Sequence, residues 1–484
     1  MIRDDELIVD SFAGGGGASV GIELATGRHV DIAINHDQDA IDMHTMNHPK
    51  TTHYCESVWE VDPIKACNGN PVGLAWFSPD CKHFSKAKGG TPVEQKIRGL
   101  AWVAILWAMR VPVRILMLEN VKEFMTWGPL RKRDDGKGLE PDPAKKGATF
   151  NAFISALTTG LKPSECYHSW REAVCALGIQ YDIQAKLKLY RGLGYDVKYH
   201  SAPAYEQGAP TTRERFYLVA RNDGEPVYWP TPTHGMPSSL EVQAGKIKPW
   251  RTAAECIDWS IPTVSIFNRP RPLAEATMRR IAKGIQRFVV ESDNPFIVPD
   301  HSAFITEHAN ASSQRNMPIN EPLRTICAKV KGGHFALVAS HLVKFRGTNY
   351  GSSLDAPMPT VSAGGNHIGE VRAFLIKYYG TNVGQPLNEP IQTITTKDRF
   401  GIVVTVHGED YVIADIGMRM LQPHELFKGM DFPAGYQFTQ KCNGKRRSKA
   451  EQVARCGNAV CPSYAQALVE ANINKAQRKR VAAA

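Results

Sequence analysis

Two short stretches carry residue types that could do chemistry together. Phe77-Ser78-Pro79-Asp80-Cys81-Lys82-His83-Phe84-Ser85 holds a thiol, and Leu118-Glu119-Asn120-Val121 holds a carboxyl group. A cysteine attacks as its thiolate, and Lys82, His83, Lys86 and Lys88 supply positive charge that lowers a thiol pKa. Each residue also has a commoner fate: a lone cysteine is most often a half-buried structural thiol, and a lone glutamate a helix cap or ion-pair partner. Spacing alone does not decide between these readings.

The elements that must position the pair are two apolar runs. Val72, Leu74, Ala75, Trp76 and Phe77 read as a buried strand closed by Pro79, and Val113, Ile115, Leu116, Met117 and Leu118 as another. Cys81 follows the first and Glu119 the second, and the carboxyl ends of neighbouring parallel strands open onto one crevice. Upstream, Leu7-Ile8-Val9-Asp10-Ser11-Phe12 is a strand, followed by the turn Ala13-Gly14-Gly15-Gly16-Gly17 and a helix ending at Gly27. Such a turn suits a nucleotide-like ligand or simply a tight bend. The next strand ends at Asn35-His36-Asp37, where a nucleotide-binding unit places a carboxylate for ribose hydroxyls. The pattern further predicts a helix over 95–109, an exposed insertion at 131–147, a helical stretch over 170–193, and strands over 195–199 and 216–220. Arg213 and Arg215 stand directly before the last of these.

Taken in order, Pro79-Asp80-Cys81 with Phe84-Ser85, Glu119-Asn120-Val121, Arg213-Glu214-Arg215 and Gly457-Asn458-Ala459-Val460 resemble the motifs of the C5-cytosine DNA methyltransferase family. The resemblance implies that Cys81 is the nucleophile, that Glu119 holds the cytosine, and that Arg213 and Arg215 help to hold it and order the site. It implies S-adenosylmethionine as cofactor, held by Phe12, Ala13, Gly14 and Gly16 of the turn, with Pro79, Asn458 and Val460. Asn35 or Asp37 would hold the ribose, His36 would lie against the adenine, and Glu56 would receive its amino group. The loop at 86–92 would close over the extruded base. The chain departs from the family pattern at Asn35 for Glu, Asp80 and Lys82 around the cysteine, Thr211 for Gln, Gln422 for Thr and His424 for Arg. An RNA-directed cytosine methyltransferase would share the chemistry, and a non-catalytic DNA-binding relative would keep only the basic surface.

The fold expected is α/β: a doubly wound, Rossmann-like methyltransferase sheet with an inserted, mostly β target-recognition domain. The divisions fall at 1–221 (catalytic), 222–415 (recognition) and 416–484 (C-terminal motifs and a helix opening at Gly457). The middle region contains a repeat: Leu342-Val343-Lys344-Phe345-Arg346-Gly347-Thr348-Asn349 answers Leu375-Ile376-Lys377-Tyr378-Tyr379-Gly380-Thr381-Asn382. With 58 Lys and Arg against 48 Asp and Glu, a formal charge of +10 suits a polyanion, and double-stranded DNA is the expected partner. The basic run at 441–449 would lie along phosphates. Ten scattered cysteines form no zinc-type cluster and read as reduced thiols of a cytoplasmic protein; no metal, no membrane and a monomeric state are expected.

Overall fold

The apolar runs assemble, in a computed structural model, into one seven-stranded sheet. The structure describes residues 1–80, 99–133, 139–267, 269–298, 304–307, 315–318, 333–334, 336–346, 350–377, 403–406 and 409–473. The strands are β1 (Leu7–Ser11), β2 (Ile32–Ile34), β3 (Thr52–Tyr54), β4 (Val72–Phe77), β5 (Val113–Asn120), β6 (Asp196–Pro203) and β7 (Glu214–Arg221). In space they run β3-β2-β1-β4-β5-β7-β6, with the first five parallel and β7 antiparallel to both neighbours. The chain starts in the middle, builds one half and returns for the other, as the doubly wound expectation requires. Strands of a parallel sheet are covered on both faces, and β4 is accordingly buried at every position.

Helices α1 (Gly17–Thr26), α2 (Gln38–Asn47), α3 (Trp102–Arg110), α4 (Ala148–Leu157), α5 (Pro163–Ala176) and α6 (Ile183–Arg191) accompany the sheet. Val9, Phe77, Leu118 and Phe216 face an aromatic core containing Trp102, Trp107, Trp127, Phe150 and Phe153. By strand alternation Asp10, Trp76, Glu119 and Tyr217 face the other way. The helix expected over 95–109 begins at Trp102 after a short turn, residues 95–98 lying outside the described residues. The stretch expected to be helical over 170–193 is two helices. Gly178, at φ 65, follows the end of α5, and the Asp182 carboxylate accepts from the Ala185 amide to start α6.

The chain divides into two compact units, Met1–Trp250 with Ser362–Gly364 and Met430–Ala484, and Arg251–Val361 with Gly365–Gly429. The first therefore runs beyond 221, because the proline-rich stretch is strapped down by Gln207 donating to the Thr231 carbonyl at 3.1 Å, Thr233 to the Glu206 carbonyl at 2.8 Å, and Tyr205 against Trp250. Residues 416–429 belong to the second unit.

That unit holds β8 (Val264–Ser265), β9 (Ala336–Lys344), β10 (Ile368–Lys377), β11 (Val403–Val406) and β12 (Glu409–Met420), all paired antiparallel in the order β8-β12-β10-β9, with β11 also on β12. Helix α7 (Glu275–Ile285) packs Ile281 and Ile285 against Ala339, Val343, Val371 and Ala373. The starts of the two repeat copies, Leu342–Lys344 and Leu375–Lys377, end the antiparallel neighbours β9 and β10; residues 347–349 and 378–382 lie outside the described residues. Where β12 runs into α8 (Pro423–Gly429), Arg419 pairs with Glu370 at 2.8 Å and with Glu425 at 2.8 Å, and Arg372 pairs with Glu370 at 2.6 Å. All four side chains are buried, so loss of one would strand its partners' charge.

The chain then returns to the first unit through α9 (Lys449–Asn458) and α10 (Pro462–Ile473). Gly457 and Asn458 thus end one helix, and the next opens at Pro462 rather than at Gly457. In the basic run before α9, the fully buried Arg447 guanidinium pairs with Asp39 at 2.7 Å, and the half-buried Lys441 pairs with Glu451 at 2.7 Å and Asp39 at 3.3 Å. Lys445, Arg446 and Lys449 stay exposed.

In the second unit the His341 ring is fully buried, and neither nitrogen has a partner among the described residues. Gly284 leaves it room, since a Cβ there would collide with Nε2. Burial pushes the His341 imidazole down to about 3, whereas the unfolded ring protonates near 6.5. Only the unfolded chain takes up the proton between those values, so the stability present above pH 6.5 is lost as pH falls. His341→Leu is expected to stabilise this unit by roughly 1–3 kcal/mol and to flatten its melting temperature between pH 7 and 5; an unchanged acid dependence in thermal melts would contradict this.

Candidate active site

The carboxyl ends of the parallel strands form one level row. Ser11 pairs with Ile34 and Phe77, Ile34 with Tyr54, and Phe77 with Leu118. The chain leaves β1 through Phe12, held in the left-handed region at φ 67, and then Gly14 at φ 44 and Gly16 at φ 81. Left-handed backbone costs a non-glycine residue about 1–2 kcal/mol, so the fold holds Phe12 there against its preference. The turn is fixed by the Ala13 amide donating to the Ile34 carbonyl at 3.0 Å and the Gly16 amide to the Ala13 carbonyl at 2.9 Å. No side chain caps the start of α1 and its first turn holds no acid, so no side chain there offsets the positive end of its dipole.

The far end of the chain closes on this turn. A Cβ at Gly17 would collide with the Val460 carbonyl, one at Gly21 would lie 2.5 Å from the Pro462 carbonyl, and one at Gly15 would lie 3.3 Å from the Arg455 carbonyl. Tyr436 donates its hydroxyl to the Gly15 carbonyl at 2.6 Å. Val460 is buried against the turn, and Asn458, two residues earlier in the chain, is exposed. The structure thereby brings Val460 onto the turn that holds Ala13, Gly14 and Gly16, more than 400 positions earlier in sequence.

The remaining rim comes from β2 and β3. Asn35 takes the Asp37 amide on Oδ1 at 2.9 Å, and Asp37 caps α2 through the amides of Asp39 and Ala40 while pairing with Arg455 at 2.7 Å. Burial raises the Asp37 pKa, but Arg455 and the cap bonds outweigh it and hold the carboxyl below its ordinary value. His36 and Glu56 are exposed. Burial, followed by the charges of Asp37, Asp42 and Glu56, pushes the Cys55 thiol up, which gathers those carboxylates around one point of the rim.

Glu119 lies one residue beyond the level row, 7% exposed, with its Oε1 3.1 Å from Arg215 Nε. Burial raises its pKa, and Arg215 and Arg213 pull the other way without cancelling the rise. Arg213 is itself buried and donates to the Gly457 carbonyl at 3.1 Å, tying the arginine pair to the C-terminal segment. The Asn120 amide donates to the Pro79 carbonyl at 3.1 Å, which fixes the exit of β4 beside the end of β5. Cys81 lies outside the described residues; the described chain reaches Asp80.

Residues 7–129 and 180–474 match the family model described as C-5 cytosine-specific DNA methylase. The chain belongs to this family. It is a DNA (cytosine-5) methyltransferase. It is 24% identical over 263 residues to the Type II methyltransferase M.AquIA of Picosynechococcus sp., covering 52% of this chain and 88% of that one. Similar solved structures include a protein assigned as a DNA modification methyltransferase encoded within an E. coli prophage (14% identity, TM-score 0.46, 98% of this chain and 99% of that one). Another is the S. pombe Dnmt2 methyltransferase (11% identity, TM-score 0.44, 97% and 99%).

The methylase match passes over residues 130–179, which here form a hairpin of Leu130–Lys132 with Leu139–Pro141 followed by α4 and α5. Part of this stretch is integral to the core, since Phe150 and Phe153 are buried in it. Sequence reasoning gave no role to Asn120, which adjoined Glu119, nor to Arg455, which holds Asp37. It also missed the stack of Tyr217 on Tyr464, with ring centroids 4.3 Å apart behind Glu119. No spacing rule pairs residues from the two ends of a chain.

Substituting Gly17→Ala forces the turn away from the Val460 carbonyl. An expected loss of roughly 1–3 kcal/mol would appear in urea denaturation, accompanied by weaker methyl-donor binding; a variant as stable as the parent would show that the segment yields freely.

Proposed function

We propose that this methyltransferase uses S-adenosylmethionine to methylate C5 of a cytosine flipped out of duplex DNA, through a transient bond from Cys81. The observation that carries the reading is Glu119: a buried carboxyl at a strand end, raised in pKa although two arginines adjoin it. Such a group can still hold a proton where a hydrogen bond to cytosine N3 needs one.

Cytosine C5 is a poor nucleophile on its own. Cys81 adds as thiolate to C6, and Glu119 delivers its proton toward N3, so the added electron pair is available at C5. Arg215 neutralises Glu119 once the proton has moved, and Arg213 anchors that strand to Gly457. S-adenosylmethionine, when bound, supplies the electrophilic methyl group. Loss of the C5 proton then re-forms the C5–C6 double bond as the Cys81 thiolate departs, and the N3 proton returns to Glu119. A base inside a stacked duplex cannot be reached this way, and extruding it costs a few kcal/mol.

The donor's place is supported by the glycine turn, whose backbone is uncrowded at Gly14, by the uncapped start of α1 and by the exposed Asn458. Asn35, rather than Asp37, is the reading favoured for the ribose, because Asp37 is engaged with its helix cap and with Arg455. His36 and Glu56 would bound the adenine. The protein is taken to act as a monomer, with residues 222–415 reading the DNA sequence.

Cys81→Ala is expected to abolish labelled methyl transfer to duplex DNA with donor affinity retained by calorimetry. Glu119→Gln is expected to lower turnover by about 10²–10⁴-fold; undiminished turnover in either variant would remove the mechanism. Exchanging residues 222–415 for those of a relative with a different target should change the methylated sequence read by bisulfite sequencing, and an unchanged site would place recognition elsewhere.

A further inference from the structure

Beneath the glycine turn lies a line of buried polar groups that the reaction above does not use. Asp10 of β1 is fully buried, and Ser19 of α1 donates its hydroxyl to Asp10 Oδ2 at 2.7 Å. His44 Nε2 lies 2.9 Å from the same hydroxyl, and His44 Nδ1 lies 2.8 Å from His53 Nε2 on β3. A hydroxyl has one proton to give. With that proton on Asp10, Ser19 must accept from His44 Nε2–H, and His44 Nδ1 must then accept from His53 Nε2–H. Every donor points toward the carboxyl group, and the half-exposed His53 is the outer end of the line.

The other titratable groups around it are His48, whose ring is tilted against that of His44 with centroids 4.4 Å apart, Glu23, 2.9 Å from His48 Nδ1, and the buried Tyr436, whose hydroxyl feels both Glu23 and Asp10. Burial raises the Asp10 carboxyl to about 7 against the pull of its Ser19 bonds. Burial, and then the neighbouring His48 and His53, hold His44 neutral. Asp10 Oδ1 is buried with no partner among the described residues. The carboxyl group thus stands near its midpoint at neutral pH, two residues before the turn, with no cation paired to it in the described residues.

The methyl donor carries a sulfonium charge that its product, S-adenosylhomocysteine, has lost. We propose that Asp10 is a charge sensor for the donor: its ionised form under the glycine turn favours the sulfonium ligand over the neutral-sulfur product, and the line from His53 through His44 and Ser19 sets how readily that charge forms. The proposal rests on the reading of the turn as the donor site. Product is thereby released in preference to donor, and the preference strengthens as pH rises through neutrality.

The test is calorimetric titration of the full chain with S-adenosylmethionine and with S-adenosylhomocysteine between pH 6 and 8.5. The two ligands share every other titratable group, so their affinity ratio isolates the sulfonium. In the parent the ratio should move toward the donor by on the order of fivefold across this range, and Asp10→Asn should abolish the trend. Half-exposed His53 offers a variant that leaves the core intact. His53→Ala frees His44 to move its proton to Nδ1 and take the Ser19 proton on Nε2, so Asp10 loses that bond and the midpoint of the trend moves to higher pH. His53→Gln, whose amide can still donate, should restore it. A ratio independent of pH in the parent overturns the sensor, and a midpoint unmoved in His53→Ala overturns the line of control. Failure of both ligands to bind overturns the donor site itself, a distinct outcome.

Discussion

The carbonyl of Val460 stands where any side chain at position 17 would have to be. Only glycine admits that approach, and because it does, the segment after α9 can lie on the turn after β1. The same closeness continues along α1, where a Cβ at Gly21 would lie 2.5 Å from the Pro462 carbonyl and 2.6 Å from the Ala465 Cβ. Helices that meet through glycine and alanine exchange backbone contacts instead of side-chain ones, which fixes their separation tightly. A site built on that contact needs both ends of the chain.

Charge placement on the sheet obeys a simple competition. Burial raises the pKa of a carboxyl group, and hydrogen bonds from cations lower it. At Glu6 the cations win: Arg114 donates twice, at 2.6 and 2.5 Å, the Arg3 amide donates at 2.8 Å, and the pKa falls. At Glu119, also buried, the Arg215 guanidinium lies 3.1 Å away, burial outweighs its pull, and the pKa rises. The difference lies in the number and directness of donors, since both residues have arginine neighbours.

The strands were legible because parallel β-structure demands unbroken apolar runs, and β1, β4 and β5 supply them. The turn was legible from its glycines, and Arg213 and Arg215 from their place before an apolar strand. The burial of Arg213 was not, since nothing in the order of residues says that Gly457 will receive its proton. For the same reason nothing in the run at 441–449 set Arg447 apart from the exposed Lys445, Arg446 and Lys449: it turns inward to meet Asp39, some 400 positions earlier. Periodicity assigns a residue to a face. It cannot name what lies across that face, so Asp10, Ser19, His44 and His53 showed no common purpose until the fold aligned them.

Departures from the family pattern fall where the structure can absorb them. Gln422, in a place where threonine is commoner, contributes its backbone amide to Glu425 at 2.6 Å, and any residue has that amide. His424 is half exposed and meets Asp258 at 3.3 Å, so an arginine is not required to hold α8. Thr211, in the place of glutamine, is fully buried and accepts the Arg213 amide on its hydroxyl at 3.3 Å, which keeps the turn before the arginines in shape. Asn35 uses its side chain to receive the Asp37 amide, as a carboxylate would. Where an interaction runs through the backbone or through any acceptor oxygen, residue identity is free to drift. Glu119, Arg213 and Arg215 interact through their side chains themselves, so a change of residue there alters the buried charge.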